Sequence, residues 1–373
     1  MKIAIVCYPT FGGSGVVATE LGLELAQRGH EVHFITYRQP VRLALLNPNI
    51  FYHEVNVPEY PLFHYQPYEL ALSSKLVDMV KLYGIEILHV HYAIPHAFAG
   101  YMAKQMLKEQ GIDLPMVTTL HGTDITLVGN HPFYKTAVSF SINNSDFVTS
   151  VSEDLKHPTP PPPPPPKDIA VIPNFIEDKS DVIEHKCRRN LFANENERVV
   201  THISNFRKVK RIQDIIKIFY GIQKQIPAKL MMIGDGPEKA DAERLAQELG
   251  IFDKIIFFGN SHEVDSILKY SDLFLLPSET ESFGLAALEA MACSVPVISS
   301  NAGGLPEVNV QGITGYLSDI GDVEDMVTNA IKILQNNETL NEFKSNALKH
   351  SKEFSVNKIV PMYEEIYFKA LNK

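Results

Sequence analysis

Twice along this chain, short β-branched apolar runs alternate with stretches whose apolar residues recur every three or four positions. That alternation restricts the fold more than any other feature. From Ile3 to Cys7 the sequence is continuously apolar, as expected of a parallel strand covered on both faces. A glycine-rich turn, Phe11-Gly12-Gly13-Ser14-Gly15, leads into a helical pattern from Val16 to Arg28, where Val17, Leu21 and Leu25 recur and Gly29 supplies a stop. Val32 to Thr36 completes a strand–helix–strand unit, and apolar stretches from Ile85 to Val90, Met116 to Thr119 and Phe147 to Val151 continue it. The alternation restarts with strand-like runs from Ala170 to Ile172, Val199 to Ile203, Lys229 to Ile233, Ile255 to Phe258, Leu273 to Leu276 and Val295 to Ile298. Helical patterns from Arg211 to Ile226, Lys239 to Leu249, Gly284 to Cys293 and Val323 to Gln335 fill the intervals, and Val356 to Leu371 reads as a terminal amphipathic helix. The prediction is an α/β chain of two Rossmann-like, doubly wound domains facing each other across a cleft.

Length and charge agree with that division and narrow the function. At roughly 150 residues per domain, 373 residues give two domains. No apolar run approaches the roughly 20 residues that span a bilayer, which argues against a membrane protein. Lys plus Arg is 34 against 44 Asp plus Glu, a net charge of −10, which opposes broad binding to nucleic acid or acidic membranes. An anionic ligand would need a local cationic pocket. Cys7, Cys187 and Cys293 are far apart, without C-x-x-C spacing, so neither a disulfide framework nor zinc is expected and a reduced, cytoplasmic chain is. The apolar run after Lys2 is too brief for a signal peptide. Pro158 and Pro160 to Pro166 can form polyproline II or irregular coil but not helix, and read as a stiff surface loop rather than a docking motif.

Several constellations could carry chemistry. Gly13-Ser14-Gly15-Val16-Val17-Ala18 fits the dinucleotide fingerprint, yet the second strand ends Thr36-Tyr37-Arg38, without the acid that would hold a ribose. The turn can still bring backbone N–H groups and the Ser14 hydroxyl to an anion, or be a tight turn with Ser14 as N-cap. His121 follows a strand, where sites form in such sheets, and reads as a hydrogen-bond donor or an acid–base group. His89, His91, His96 and Tyr92 crowd the neighbouring strand end, without carboxylates at metal-ligand spacing. Arg207, Lys208, Lys210 and Arg211 place four cations within five positions at a strand-to-helix junction, suited to a diphosphate or simply a solvated face. Glu281 lies before a helix and Glu289 two turns inside it, placed to accept hydrogen bonds from vicinal diols.

The segment Glu281 to Ala292 resembles the E-x7-E motif of retaining GT-B glycosyltransferases. Gly12 to Gly15, Arg207 to Arg211, Gly234-Asp235-Gly236-Pro237-Glu238 and Gly303-Gly304-Leu305-Pro306-Glu307 fall in that family's order. Tyr8 to Gly15, His89 to His96, Leu120 to Thr126 and Ser204 to Arg211 are similar to the branch of the family that serves bacillithiol synthesis. The resemblance implies an acceptor-binding domain over 1–168, a nucleotide-sugar domain over 169–355, and a terminal helix over 356–373 returning to the first. It further implies retaining transfer of N-acetylglucosamine from UDP-GlcNAc to the hydroxyl of L-malate, with no metal or other cofactor.

By the same resemblance Arg207, Lys210 and Arg211 would neutralise the diphosphate, with the turn from Gly13 to Gly15. Glu281 would accept from the sugar, beside Asn205, Ser282 and the N–H groups of Phe283, Gly284 and Leu285. Glu289 would hold the ribose, and Gly259 and Asn260 would border the uracil. His121 would lie near the reacting centre, and Ser14, Tyr92, Thr118 and Thr119 would surround the acceptor. Arg207 and Lys210 are three apart, whereas the family often spaces this pair five apart, and the proline run replaces a helix-forming stretch. Another GT-B transferase with a different small or lipid acceptor, a UDP-GlcNAc epimerase or hydrolase, and a nicotinamide dehydrogenase remain the competing readings. A homo-oligomer is compatible with the sequence.

Overall fold

A computed structural model describes the chain apart from residues 11, 58, 60–64, 127, 157–167, 178–188 and 262. The proline run and Cys187 therefore lie outside the described residues. The chain forms two compact units, Met1–Phe175 together with Val356–Lys373, and Ile176–Ser355.

The first unit is built on seven parallel strands: β1 (Lys2–Val6), β2 (Glu31–Thr36), β3 (Ile50–Glu54), β4 (Ile87–His91), β5 (Met116–Leu120), β6 (Phe147–Ser150) and β7 (Ile169–Val171). They lie in the order β3-β2-β1-β4-β5-β6-β7. Between them run α1 (Gly13–Gln27), α2 (Tyr68–Tyr83), α3 (Phe98–Lys108), α4 (Thr123–Thr126), α5 (Lys135–Asn144) and α6 (Glu153–Lys156). Every residue of β4 and β5 is buried, because helices cover both faces of the sheet, which is why these strands read as continuous apolar runs. One face packs Ala4, Val6, Leu88 and Val90 against Leu72, Leu76, Ala103 and Leu107 of α2 and α3.

The second unit repeats the plan with β8 (Arg198–Ile203), β9 (Ala228–Ile233), β10 (Ile255–Gly259), β11 (Leu273–Leu276), β12 (Val297–Ser300) and β13 (Gly315–Ser318), in the order β10-β9-β8-β11-β12-β13. Its helices are α7 (Ile212–Gln223), α8 (Lys239–Glu248), α9 (Val264–Leu268), α10 (Leu285–Ala292), α11 (Leu305–Val308), α12 (Val323–Leu334) and α13 (Asn337–Ser351). The apolar stripe of α7, from Ile212 through Ile215, Ile216 and Phe219 to Ile222, meets Val200, Leu230 and Met232 in the core. In both sheets the direction of winding reverses beside the first strand, between β1 and β4 and between β8 and β11. A crevice beyond the carboxyl ends of the strands at such a point is where open parallel sheets bind ligands.

One expectation changes. The segment from Ala170 to Ile172 does not open the second unit: β7 pairs in parallel with β6, Val148 opposite Ile169, so the boundary falls at 175/176 rather than 168/169. A three-residue apolar strand carries no mark of which sheet it joins; only its hydrogen-bonding partner decides. The edge strands β3 and β13 and the polar helix α13 carried too little apolar periodicity to be read beforehand. The last helix, α14 (Val356–Leu371), packs in the first unit, where Tyr363 and Tyr367 are fully buried. Glu364 accepts from Arg28 Nη1 at 3.3 Å and lies 2.8 Å from His30 Nε2, just beyond α1.

Candidate functional site

In the second unit the loops after five strands join into one rim. The β8 loop turns sharply: Phe206 adopts φ 37 and is fully buried, while Asn205 and Arg207 on either side are exposed. Glu238 N donates to Phe206 O at 3.0 Å, Gly234 N to Gly259 O at 2.8 Å, Glu279 N to Val209 O at 2.8 Å and Gly304 N to Glu281 O at 2.9 Å. These bonds connect the loops after β8, β9, β10, β11 and β12. On this rim Lys210 Nζ donates to Glu281 Oε1 at 2.5 Å, and Ser278 Oγ donates to the same oxygen at 2.8 Å. The two residues expected to touch diphosphate and sugar are thus adjacent.

Gly284 caps α10 in the left-handed conformation at φ 99. The first-turn N–H groups of a helix have no intrahelical acceptor, so the main chain from Phe283 to Leu285 offers donors and the positive end of the helix dipole. The Phe283 ring itself turns inward, 5.7 Å from Phe354, leaving the backbone as what this residue presents. Ser282 and Glu289 are partly exposed, Asn205 and Asn260 exposed, and Gly259 ends β10.

The cations differ in their partners. Arg207 is exposed and, among the described residues, has no carboxylate partner. Arg211, expected on the diphosphate, is instead engaged inside the unit: Nε donates to Asp214 Oδ2 at 2.6 Å and Nη1 to Glu279 Oε1 at 3.0 Å. Its backbone, at φ 52, is also the N-cap of α7. Two carboxylates offset this charge and Arg211 braces the loop; Lys210 is likewise paired, with Glu281, which leaves Arg207 as the cation without a carboxylate partner among the described residues.

The first unit gathers its own group at the ends of β1, β4 and β5. A Cβ on Gly15 would lie 2.4 Å from Tyr8 O and 2.6 Å from Thr10 O, so glycine is required by the close passage of α1 against the loop after β1. That close packing accounts for Gly15 in the fingerprint. Gly12 rather than Ser14 is the N-cap of α1. Ser14 Oγ instead accepts from Tyr92 Oη at 2.8 Å, and the Tyr92 ring lies 5.1 Å from that of Tyr8 and 5.2 Å from that of His121.

His121 is 8% exposed, and its Nε2 lies 2.8 Å from Nδ1 of fully buried His91. Burial pulls the His121 pKa down to about 3 and that of His91 well below its ordinary value, so both rings are neutral. Asp124, which sequence reasoning did not single out, ties the β4 and β5 loops together. Its Oδ1 accepts from Gly122 N at 2.9 Å and His121 N at 3.2 Å, and its Oδ2 accepts from Ala93 N at 3.1 Å. Burial pushes this carboxyl up to about 6 against the pull of those three N–H groups. Its position three residues after His121 was the available signal.

Thr118 and Thr119, expected around the acceptor, are fully buried. The Thr118 hydroxyl pairs with Ser145 Oγ at 2.7 Å, and that of Thr119 with His89 Nε2 and Thr149 Oγ1, each at 2.7 Å. Strand alternation points the two side chains to opposite faces of β5, into packing on both, so neither hydroxyl is presented at the strand end.

Two parallel α/β units, each with polar loops gathered at the carboxyl ends of its strands, are the architecture of the GT-B glycosyltransferases. The chain matches the family models described as Glycosyltransferase Family 4 over residues 11–180 and Glycosyl transferases group 1 over residues 184–350. It is 46% identical, over 100% of its own length and 97% of the relative's, to the N-acetyl-alpha-D-glucosaminyl L-malate synthase of Bacillus anthracis, and it belongs to that enzyme's family of glycosyltransferases. The fold is shared with sucrose-phosphate synthase from Thermosynechococcus elongatus, at TM-score 0.79 and 21% identity over 99% of this chain and 98% of that one. Anabaena HepE, solved with UDP and glucose, gives TM-score 0.79 at 18% identity over 99% and 100%. Among the described residues no helix is long and apolar enough to cross a membrane.

Proposed function

We propose that this chain transfers N-acetylglucosamine from UDP-GlcNAc to the hydroxyl of L-malate, with retention at the sugar carbon and without a divalent metal. The full-length 46% identity to a relative named for that product carries the reading. In the step, the bond from C1 to the diphosphate oxygen breaks, the bond from C1 to the malate oxygen forms on the same face, and the malate proton passes to the leaving diphosphate. Such a reaction asks the protein for positioning and for stabilisation of charge on the leaving group rather than for a nucleophile.

Arg207 and Lys210 would meet the developing diphosphate charge, helped by the dipole of α10. Glu281, its side chain set by Ser278 and Lys210, would accept from the sugar hydroxyls, and Glu289 from the ribose. In the first unit Ser14, Tyr92 and His121 offer hydroxyls and an imidazole suited to an acceptor carrying two carboxylates. Purified protein incubated with UDP-GlcNAc, EDTA and a panel of hydroxy acids should release UDP together with a malate-dependent product of the mass of GlcNAc-malate. UDP release indifferent to malate would make the chain a hydrolase and overturn the acceptor assignment.

A further inference from the structure

The two ring nitrogens of His121 have different surroundings. Nε2 is taken by His91 at 2.8 Å, while Nδ1 has no hydrogen-bond partner among the described residues. Behind His91 the polar groups continue inward. His89 stacks on His91 with ring centroids 4.4 Å apart, since residues two apart on β4 share a face. His89 Nδ1 lies 2.7 Å from Tyr367 Oη on α14, and its Nε2 lies 2.7 Å from Thr119 Oγ1 on β5. The Tyr363 ring of α14 flanks His89 at 5.6 Å.

A neutral imidazole carries one N–H, so the His91–His121 pair has two arrangements. If His121 Nε2–H donates, then His91 Nδ1 accepts and the His91 proton sits on Nε2, which is fully buried and has no partner among the described residues. If His91 Nδ1–H donates, the buried Nε2 is only a bare acceptor, and His121 must carry its proton on Nδ1. Buried donors without a partner are rarer than under-satisfied acceptors. The same loop already holds one such bare acceptor: His96 Nδ1–H donates to His91 O at 2.6 Å, leaving the neutral ring's buried Nε2 unpaired among the described residues.

We propose that His91 is a positioning residue whose Nδ1–H donates to His121 Nε2 and holds His121 as the Nδ1–H tautomer, a hydrogen-bond donor rather than a base toward bound substrate. This rests on His121 serving the transfer proposed above. In that role the ring steadies an acceptor carboxylate or sugar hydroxyl without taking a proton, in keeping with a reaction in which the leaving diphosphate is the proton acceptor.

The test reads the tautomer directly. The whole chain, labelled with 15N-histidine, is observed without substrate, and the His121 ring is assigned by loss of its signals in H121Q. Nitrogen shifts and couplings should show a neutral ring protonated at Nδ1; a ring protonated at Nε2 overturns the proposal whatever the activity. H91L removes the donor and should move His121 toward the Nε2–H form, lowering kcat on the order of 10-fold to 100-fold with little change in KM for UDP-GlcNAc. H91N places an amide N–H where Nδ1–H stood and should restore both tautomer and turnover relative to H91L. Equal tautomer and turnover in the two variants would also overturn it. If neither variant folds, the wild-type spectrum alone decides. Absence of a malate product with the Nδ1–H tautomer in place would instead count against the assigned reaction and leave the positioning role standing.

Discussion

Replacing Gly303 by alanine would separate backbone conformation from close approach within the donor rim. Gly303 sits at φ 57, and a Cβ there would lie 2.1 Å from Glu281 O, the oxygen that accepts from Gly304 N at 2.9 Å. The left-handed conformation alone costs an alanine about 1 kcal/mol. The overlap adds about 1–3 kcal/mol of overpacking, because the obstructing atom is main chain and cannot swing aside. Gly312 is the control: its φ is 73, and nothing lies within 4 Å of the same added atom. G312A should therefore cost about 1 kcal/mol and lower Tm by roughly 2–4 °C, whereas G303A should cost about 3 kcal/mol and lower it by roughly 6–12 °C. G303A should also reduce turnover, since relief of the overlap displaces Glu281, while G312A should not. Thermal denaturation and initial rates for both proteins decide the matter. Equal destabilisation by the two substitutions would refute the close-approach argument for the Gly-Gly-Leu-Pro-Glu motif.

Further outcomes follow from the charges. R207M and K210M should each lower kcat on the order of 10²-fold to 10³-fold, whereas R211M, whose guanidinium is held by Asp214 and Glu279, should chiefly lower Tm; a purely catalytic loss in R211M would contradict its bracing role. At Asp272, burial would raise the pKa, but Lys344, the Val199 N–H and Arg189 more than offset it and hold the carboxyl below 3.8. Its stabilisation is therefore present above 3.8 and lost as pH falls through the lower folded value, and urea midpoints should show a D272N deficit at neutral pH that shrinks under acid. Asp124 has the opposite sign: with its carboxyl raised from 3.8 to about 6, stability is fully present below 3.8 and lost as pH rises through about 6. D124N should flatten that dependence, and a midpoint slope unchanged from wild type would count against the buried-carboxylate account.

Much of the site was legible because it depends on local spacing. The interval from Glu281 to Glu289 fixes one carboxylate before α10 and one about a turn inside it wherever the helix packs. The cations from Arg207 to Arg211 had to fall at a strand-to-helix junction. Spacing could not sort those cations fully: Asp214 is an i,i+3 neighbour of Arg211, but Arg211's second partner, Glu279, comes from the loop after β11, and Lys210's partner, Glu281, from the same loop. Nor could it show that Thr118 and Thr119 face opposite packed surfaces, since both have the polarity of a site residue.

The sequence by itself determined two α/β units, most of their central strands and helices and the loops on which polar residues would gather, because periodicity and glycine placement act over a few neighbouring residues. Only the tertiary structure decided that Ile169–Val171 closes the first sheet, that Tyr363, Glu364 and Tyr367 are the side chains that seat the returning α14, and that His91 stands behind His121. Each is a pairing of residues far apart in the chain, settled by which hydrogen-bonding and apolar surfaces find partners when the whole unit packs.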